Sequence, residues 1–321
     1  MWKIGNIEIK SHVVLAPMAG VTFLSYRNFM KPFGVGLSVS EMVSDHGLVY
    51  ENDSTMEYIK TSELDRPVAI QLFGSDAETI CRGMDIVLKT NPNFDMFDIN
   101  LGCPVNKVTK TGAGSALLKD TEYLKDMMSK IVKHSPKPVT AKIRLGWDDK
   151  TINVFEVVKI LEDAGVAAIG VHARTTKQLY SGLPNYELIR DLGSKMKVPL
   201  IISGNIFTLD DAINAMEITK ATAVMVARGG VGNPYLITQI NHYLETGEKL
   251  EDVSLKQNLE YLIKLMDAMI IEKGEYKAVR MLRGIAPKFI IHCANAKTYR
   301  NKLAQNITNR QTVIDIINSI D

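Results

Sequence analysis

The chain has 321 residues, 46% of them hydrophobic and 23% charged, a composition that suits one large globular domain plus a small one. Its formal net charge of +2 announces no nucleic-acid partner, because such a partner needs a local basic surface and not a basic total. The apolar runs fall far short of the roughly 20 residues of a membrane helix and no signal peptide precedes them, so a cytoplasmic protein without a membrane partner is expected; a monomer is expected as well.

In chain order, short apolar and β-branched runs stand at Val13 to Ala16, Gly36 to Val39, Val68 to Phe73, Met96 to Leu101, Val139 to Ile143, Ala168 to Val171, Leu200 to Ile202 and Ala223 to Val226. Between them, helices are predicted at Leu24 to Lys31, Ala77 to Lys89, Thr121 to His134, Ile152 to Ala164, Tyr186 to Leu192 and Leu209 to Ala215, with Asp76 and Thr208 placed as N-caps. Eight such units imply a parallel sheet. An open doubly wound sheet is the rival. The (β/α)8 barrel is preferred because polar and glycine-rich groups follow nearly every strand, which makes one ring-shaped site. From Glu245 the pattern turns charged and then helical, with Leu259, Leu262, Ile263 and Met266 on one face of Leu255 to Ile271. The fold expected is therefore an α/β TIM barrel over residues 1–244 followed by a small all-helical domain over 245–321.

Cys81, Cys103 and Cys293 are widely spaced and form no CxxC or Cys/His cluster, so neither a disulfide framework nor a metal site is expected. Cys81 and Cys293 read as inert core cysteines. Cys103 differs because Asn100-Leu101-Gly102-Cys103-Pro104 places it in an irregular loop just past the fourth strand. It suits a general acid, protonated at neutral pH, or a thiolate nucleophile if a base stands nearby. Ser203-Gly204-Asn205 and Ala227-Arg228-Gly229-Gly230 follow the seventh and eighth strands, where many (β/α)8 enzymes cradle a phosphate, although a plain loop reads equally well. Lys142, flanked by Ala141 and Ile143, points into the barrel mouth if those neighbours face the helices. It then needs an anionic partner such as a flavin ring, or serves Schiff-base chemistry. Gln71 and His172 suit hydrogen bonds to the same ring or purely structural ones. From Lys273 to Arg310 one acidic residue stands among nine basic ones, either a solvated helix face or a phosphate-binding surface.

Together these segments resemble the tRNA-dihydrouridine synthases, and most closely the bacterial DusB-like branch. The resemblance rests on Ala16-Pro17-Met18-Ala19-Gly20-Val21-Thr22, Ser40-Glu41-Met42, Gln71-Leu72-Phe73-Gly74, Asp98 to Pro104, Gly112 to Leu118, Lys142-Ile143-Arg144 and His172-Ala173-Arg174-Thr175, and it covers most of the chain. It implies bound FMN, NADPH as transient reductant, and a tRNA substrate whose uracil is reduced, with Cys103 donating the proton to C5. It also implies that Pro17, Met18, Ala19, Gln71, Lys142, His172, Ser203, Gly204, Asn205, Ala227 and Arg228 hold the flavin. Asn100 and Arg174 become substrate-side groups, and Arg280, Arg283 and Lys288 become tRNA contacts. The chain departs from the family pattern at Phe23 (usually aspartate), at Ser203-Gly204-Asn205 (commonly Asn-Gly-Asp), at Ala227 (usually glycine) and at Ala286-Pro287-Lys288-Phe289. Two other readings remain open: an FMN barrel oxidoreductase acting on a small molecule, of the dihydroorotate dehydrogenase or ene-reductase kind, and an RNA-binding protein without catalysis.

Overall fold

The computed structural model describes residues 1–50, 52–291 and 293–320. An antiparallel hairpin, β1 (Trp2–Ile4) and β2 (Ile7–Ile9), comes first. The parallel strands follow: β3 (Val13–Leu15), β4 (Leu37–Val39), β5 (Val43–Ser44), β6 (Val68–Phe73), β7 (Met96–Leu101), β8 (Val139–Arg144), β9 (Ala168–His172), β10 (Leu200–Ser203) and β11 (Ala223–Val226). β3 pairs with both β4 and β11, and β4 pairs with β6, so eight strands close into the expected barrel. The two-residue β5 extends the second barrel strand beyond Ser40-Glu41-Met42 and also pairs with β6.

Side-chain alternation sorts the barrel into two layers. Val13 and Leu15, Ile70 and Leu72, Ile99 and Leu101, Ala141 and Ile143, and Val224 and Val226 face outward to the helices. Val14, Leu37, Val39, Ala69, Met96, Ala168, Ile201, Ala223 and Met225 fill the interior. Trp2, Ile4 and Ile9 of the hairpin join that inner cluster and seal the amino-terminal end of the barrel. The inward positions one or two steps further along are polar: Gln71, Asp98 and Asn100, Thr140 and Lys142, His172, and Ser203. The expected orientation of Lys142 is therefore the observed one.

The helices Ala77–Thr90 and Leu209–Thr219 start where predicted, with Asp76 accepting from the Thr79 N–H at 2.8 Å and Thr208 forming a capping box with Asp211. The helix expected at Tyr186 to Leu192 does not form. A 3-10 turn (Glu187–Ile189) and a short helix (Leu192–Lys195) replace it, because Asp191 takes a left-handed φ of 58° and ties its N–H to the Ile218 carbonyl. Two further elements were not foreseen although they carry plain signals. The hairpin turns on Gly5-Asn6, and the helix Tyr235–Thr246 begins after Pro234 and ends at Gly247.

Beyond it, Leu255–Lys273, Glu275–Leu282, Ala296–Gln305 and Arg310–Asn318 are helical. The first of these packs on the barrel helix Leu24–Met30, and the two segments share one hydrophobic cluster. Phe23, at the N-cap of Leu24–Met30, offers no capping group. The cap comes from the tail instead, where Glu272 accepts from the Ser25 N–H at 2.7 Å and pairs with Lys273. Asn258, fully buried, donates to Gly232 O on the barrel and Phe289 O in the tail at 2.8 and 2.9 Å. No helix among the described residues is long and apolar enough to cross a membrane.

Candidate active site

The carboxyl ends of the strands surround two adjoining cavities of about 640 and 1150 Å3 that share Pro17, Met18, Lys142, His172, Tyr180 and Arg228 as common walls. The smaller also has Arg174, Ser203, Gly204, Asn205, Phe207, Ala227 and Gly229. The larger has Ala19, Met42, Gln71, Asn100, Cys103, Arg144 and Lys288. Every residue the resemblance assigns to flavin, substrate or proton donation thus lines this slot, as does Lys288, whereas Arg280 and Arg283 do not. Arg280 donates to the exposed Tyr276 hydroxyl, and Arg283 holds the Ile307 carbonyl. Arg174 and Asn100 are not neighbours along the slot: Arg174 lies with Ser203 to Asn205, and Asn100 lies with Cys103.

At the Cys103 end a buried polar relay fixes the loop. Thr140 Oγ1 donates to Asp98 Oδ1 (2.5 Å), Gln71 Nε2 to Asp98 Oδ2 (2.7 Å), and Asn100 Nδ2 to Gln71 Oε1 (2.8 Å). Asn100 Oδ1 then accepts the N–H groups of Gly102 and Cys103 at 3.1 and 2.8 Å. Asn100 therefore holds the thiol-bearing loop. Gln71 spends one Nε2 proton on Asp98, and the second has no acceptor among the described residues. Gly114, at φ 61°, lies so close to Cys103 that a Cβ would stand 2.9 Å from its carbonyl, so a side chain there would displace the loop. Burial pushes the half-buried Cys103 thiol above its ordinary range, opposed by the Val105 N–H, Arg144 and Lys142. The thiol is protonated at neutral pH, and among the described residues no carboxylate or imidazole hydrogen-bonds to its sulfur, which favours the acid over the nucleophile.

Lys142 has no hydrogen bond or ion pair among the described residues. Burial, and then the charge of Arg144, lowers it to about 8, with Asp98 pulling the other way. Gly170, its register partner on β9, leaves room for the lysine stem. Burial first, then Lys142, Arg144, Arg174 and Arg228, drive His172 far below its usual range, so it is neutral. Arg174 Nη1 can only donate, so His172 Nε2 accepts at 3.2 Å and its proton sits on Nδ1. Arg174 also grips Ser181 O, Gly182 O and Asn205 Oδ1. Because residue 205 is an asparagine, that contact leaves the charge of Arg174 uncancelled.

Sequence reading did not single out Tyr180 and Phe207 and did not assign Arg144 a role. Tyr180 and Phe207 are loop aromatics with no periodic pattern around them. Arg144 was visible beside Lys142, and the structure shows it buried, donating to Gly102 O, Thr175 O and Leu179 O. Among the described residues no cluster of His, Cys, Asp or Glu is arranged to hold a metal.

A profile of the family described as "Dihydrouridine synthase (Dus)" matches residues 14–320. The "Probable tRNA-dihydrouridine synthase" of Rickettsia bellii (strain RML369-C) is 37% identical over 284 residues, 88% of this chain and 86% of that one. The "tRNA-dihydrouridine synthase B" of Shewanella oneidensis is 34% identical over 285 residues, 88% and 87% of the two chains. Among solved structures, the old yellow enzyme homologue from Zymomonas mobilis superposes with a TM-score of 0.52 at 14% identity, over 78% of this chain and 93% of that one. Histamine dehydrogenase from Rhizobium sp. 4-9 gives 0.56 at 13% identity, over 83% and 50%. At such identities these two structures speak for the barrel alone.

Proposed function

The chain belongs to the dihydrouridine synthase family, and from that membership together with the two-part slot we propose that it is a tRNA-dihydrouridine synthase. In this reading it binds FMN, takes reducing equivalents from NADPH, and saturates the C5–C6 bond of particular uridines in tRNA. The observation that carries the reading is electrostatic. Lys142, Arg144, Arg174 and Arg228 converge on a slot that no acidic side chain among the described residues lines, and the slot ends at a protonated thiol. Two of these cations, Lys142 and Arg228, have no hydrogen bond or ion pair among the described residues, which fits a ligand carrying a phosphate at one end and an electron-rich ring at the other. Ser203 to Asn205, Ala227 and Arg228 would hold the phosphate. Pro17, Met18, Ala19, Gln71, Lys142 and His172 would hold the ring.

When bound, the flavin supplies the hydride that adds to C6 of uracil. Cys103 holds the proton that C5 takes up, so the ring double bond becomes single and the thiolate left behind regains a proton from solvent. Asn100 fixes where that proton is delivered through the two N–H groups it accepts. The uracil must leave its stack to enter the slot. Lys288, exposed at the rim, and the basic tail (residues 245–321) grip phosphates around it while the barrel (residues 1–244) does the chemistry. The protein acts as a monomer in the cytoplasm.

Purified protein should be yellow and, with NADPH, should convert uridine to dihydrouridine in an unmodified tRNA transcript, read by nucleoside mass spectrometry. Cys103→Ala should keep its flavin and lose roughly a hundredfold or more in dihydrouridine formation. Because the thiol acts in its protonated form and its pKa is raised, the wild-type rate should hold at neutral pH and fall only above the ordinary thiol range. Full activity of Cys103→Ala would remove the thiol from the mechanism. NADPH oxidation with a small enone and no change in tRNA would favour the small-molecule oxidoreductase.

A further inference from the structure

The loop after β9 has a construction that hydrogen bonding to the ligand alone does not explain. Arg144 Nη1 fixes the carbonyls of Thr175 and Leu179 at 2.8 Å each, and Arg174 fixes those of Ser181 and Gly182 at 3.1 and 2.6 Å. Leu179, a bulky residue, is held in the left-handed region at φ 51°, a conformation that persists only where its surroundings impose it. Two buried guanidiniums thus clamp the backbone on both sides of Tyr180. The side chain they present is 54% exposed and lines both cavities. Its hydroxyl has no hydrogen bond among the described residues.

The ring lies beside the Arg144 guanidinium, which is 5.6 Å from its centroid, and is tilted against the neutral His172 ring at 6.3 Å. The Arg228 guanidinium lies 4.8 Å from the centroid of Tyr180 and 5.7 Å from that of Phe207. Arg228 makes no hydrogen bond or ion pair among the described residues, so two aromatic faces alone direct it. A flexible cation that must meet an anion loses less freedom on binding when it is already aimed.

We infer that Tyr180 is a positioning residue whose ring, with Phe207 on the other flank, aims Arg228 at the phosphate end of the flavin. The inference rests on the flavin reading above. It makes the ring and not the hydroxyl the working part, and it confines the effect to ligands that carry the phosphate.

The test is titration of flavin-stripped, full-length protein with FMN and, separately, with riboflavin, followed by quenching of flavin fluorescence. Tyr180→Leu should weaken FMN binding by roughly three- to thirtyfold and leave riboflavin binding unchanged, whereas Tyr180→Phe should keep the affinity of wild type for both. The inference is overturned if Tyr180→Leu leaves FMN affinity intact, if it weakens both ligands equally, or if Tyr180→Phe fails as badly as Tyr180→Leu. A wild-type protein that binds neither flavin would overturn the cofactor reading itself, and this inference with it.

Discussion

Lys142 occupies an inward position on β8 between two residues that pack outward, so its charge is delivered to the slot by strand geometry alone. Its pKa of about 8 is the result of a cation held by burial among other cations. Between about pH 8 and 10.5 the unfolded chain holds a proton that the folded, ligand-free chain has released, so this group makes stability rise with pH across that window. An anion placed beside Lys142 removes that dependence, because it restores the proton. We therefore expect FMN binding near pH 8.5 to take up a fraction of a proton, measured by calorimetry in buffers of different ionisation enthalpy. Lys142→Met should abolish that uptake. Uptake of the same size in the variant would assign it to another group.

The elements differ in how plainly the sequence announces them. Eight barrel strands were legible because each is a short apolar run closed by polar or glycine residues, and outward residues such as Ala141 and Ile143 gave the phase that turns Lys142 inward. Asn100 was legible as a residue of the barrel mouth, but its bonding was not, since nothing in the sequence shows that its amide meets Gln71 and two N–H groups of the next turn. Tyr180 was not legible at all, because its place depends on contacts made by Arg144 and Arg174 across the barrel mouth. The contact between tail and barrel was equally hidden. Asn258 reads as a polar residue on a helix, yet it ties the loop after β11 to Phe289 in a fully buried setting. Asn258→Leu removes both donors and leaves two buried carbonyls unpaired, which should cost about 2–4 kcal/mol in chemical denaturation. A loss under about 0.5 kcal/mol would mean that water replaces the amide.

For the molecule as a whole, the basic run of the tail divides into structural and available charges. Arg283 and Arg300 hold the carbonyls of Ile307 and Ile290, and Arg310 pairs with Asp267. Lys288 lies exposed on the turn that packs beside Gly232 and lines the larger cavity of the slot, so it joins the tail to the slot. We expect tRNA affinity to fall steeply with salt, and Lys288→Ala to lower the slope of log K against log salt by about 0.7–0.9, one phosphate's share. Its FMN affinity should match wild type. An unchanged slope would remove Lys288 from the tRNA contacts.

The closure of the barrel also has a consequence in time. β3 finds its second neighbour only in β11, at the far end of the eight-strand series. At synthesis rates of about 5–20 residues per second, roughly ten to forty seconds pass between the emergence of these two strands from the ribosome. Throughout that interval the edge of β3 is without one partner and the apolar face of the hairpin has no finished barrel to seal. The last strand therefore acts as a lock, since only its pairing gives β3 a second neighbour.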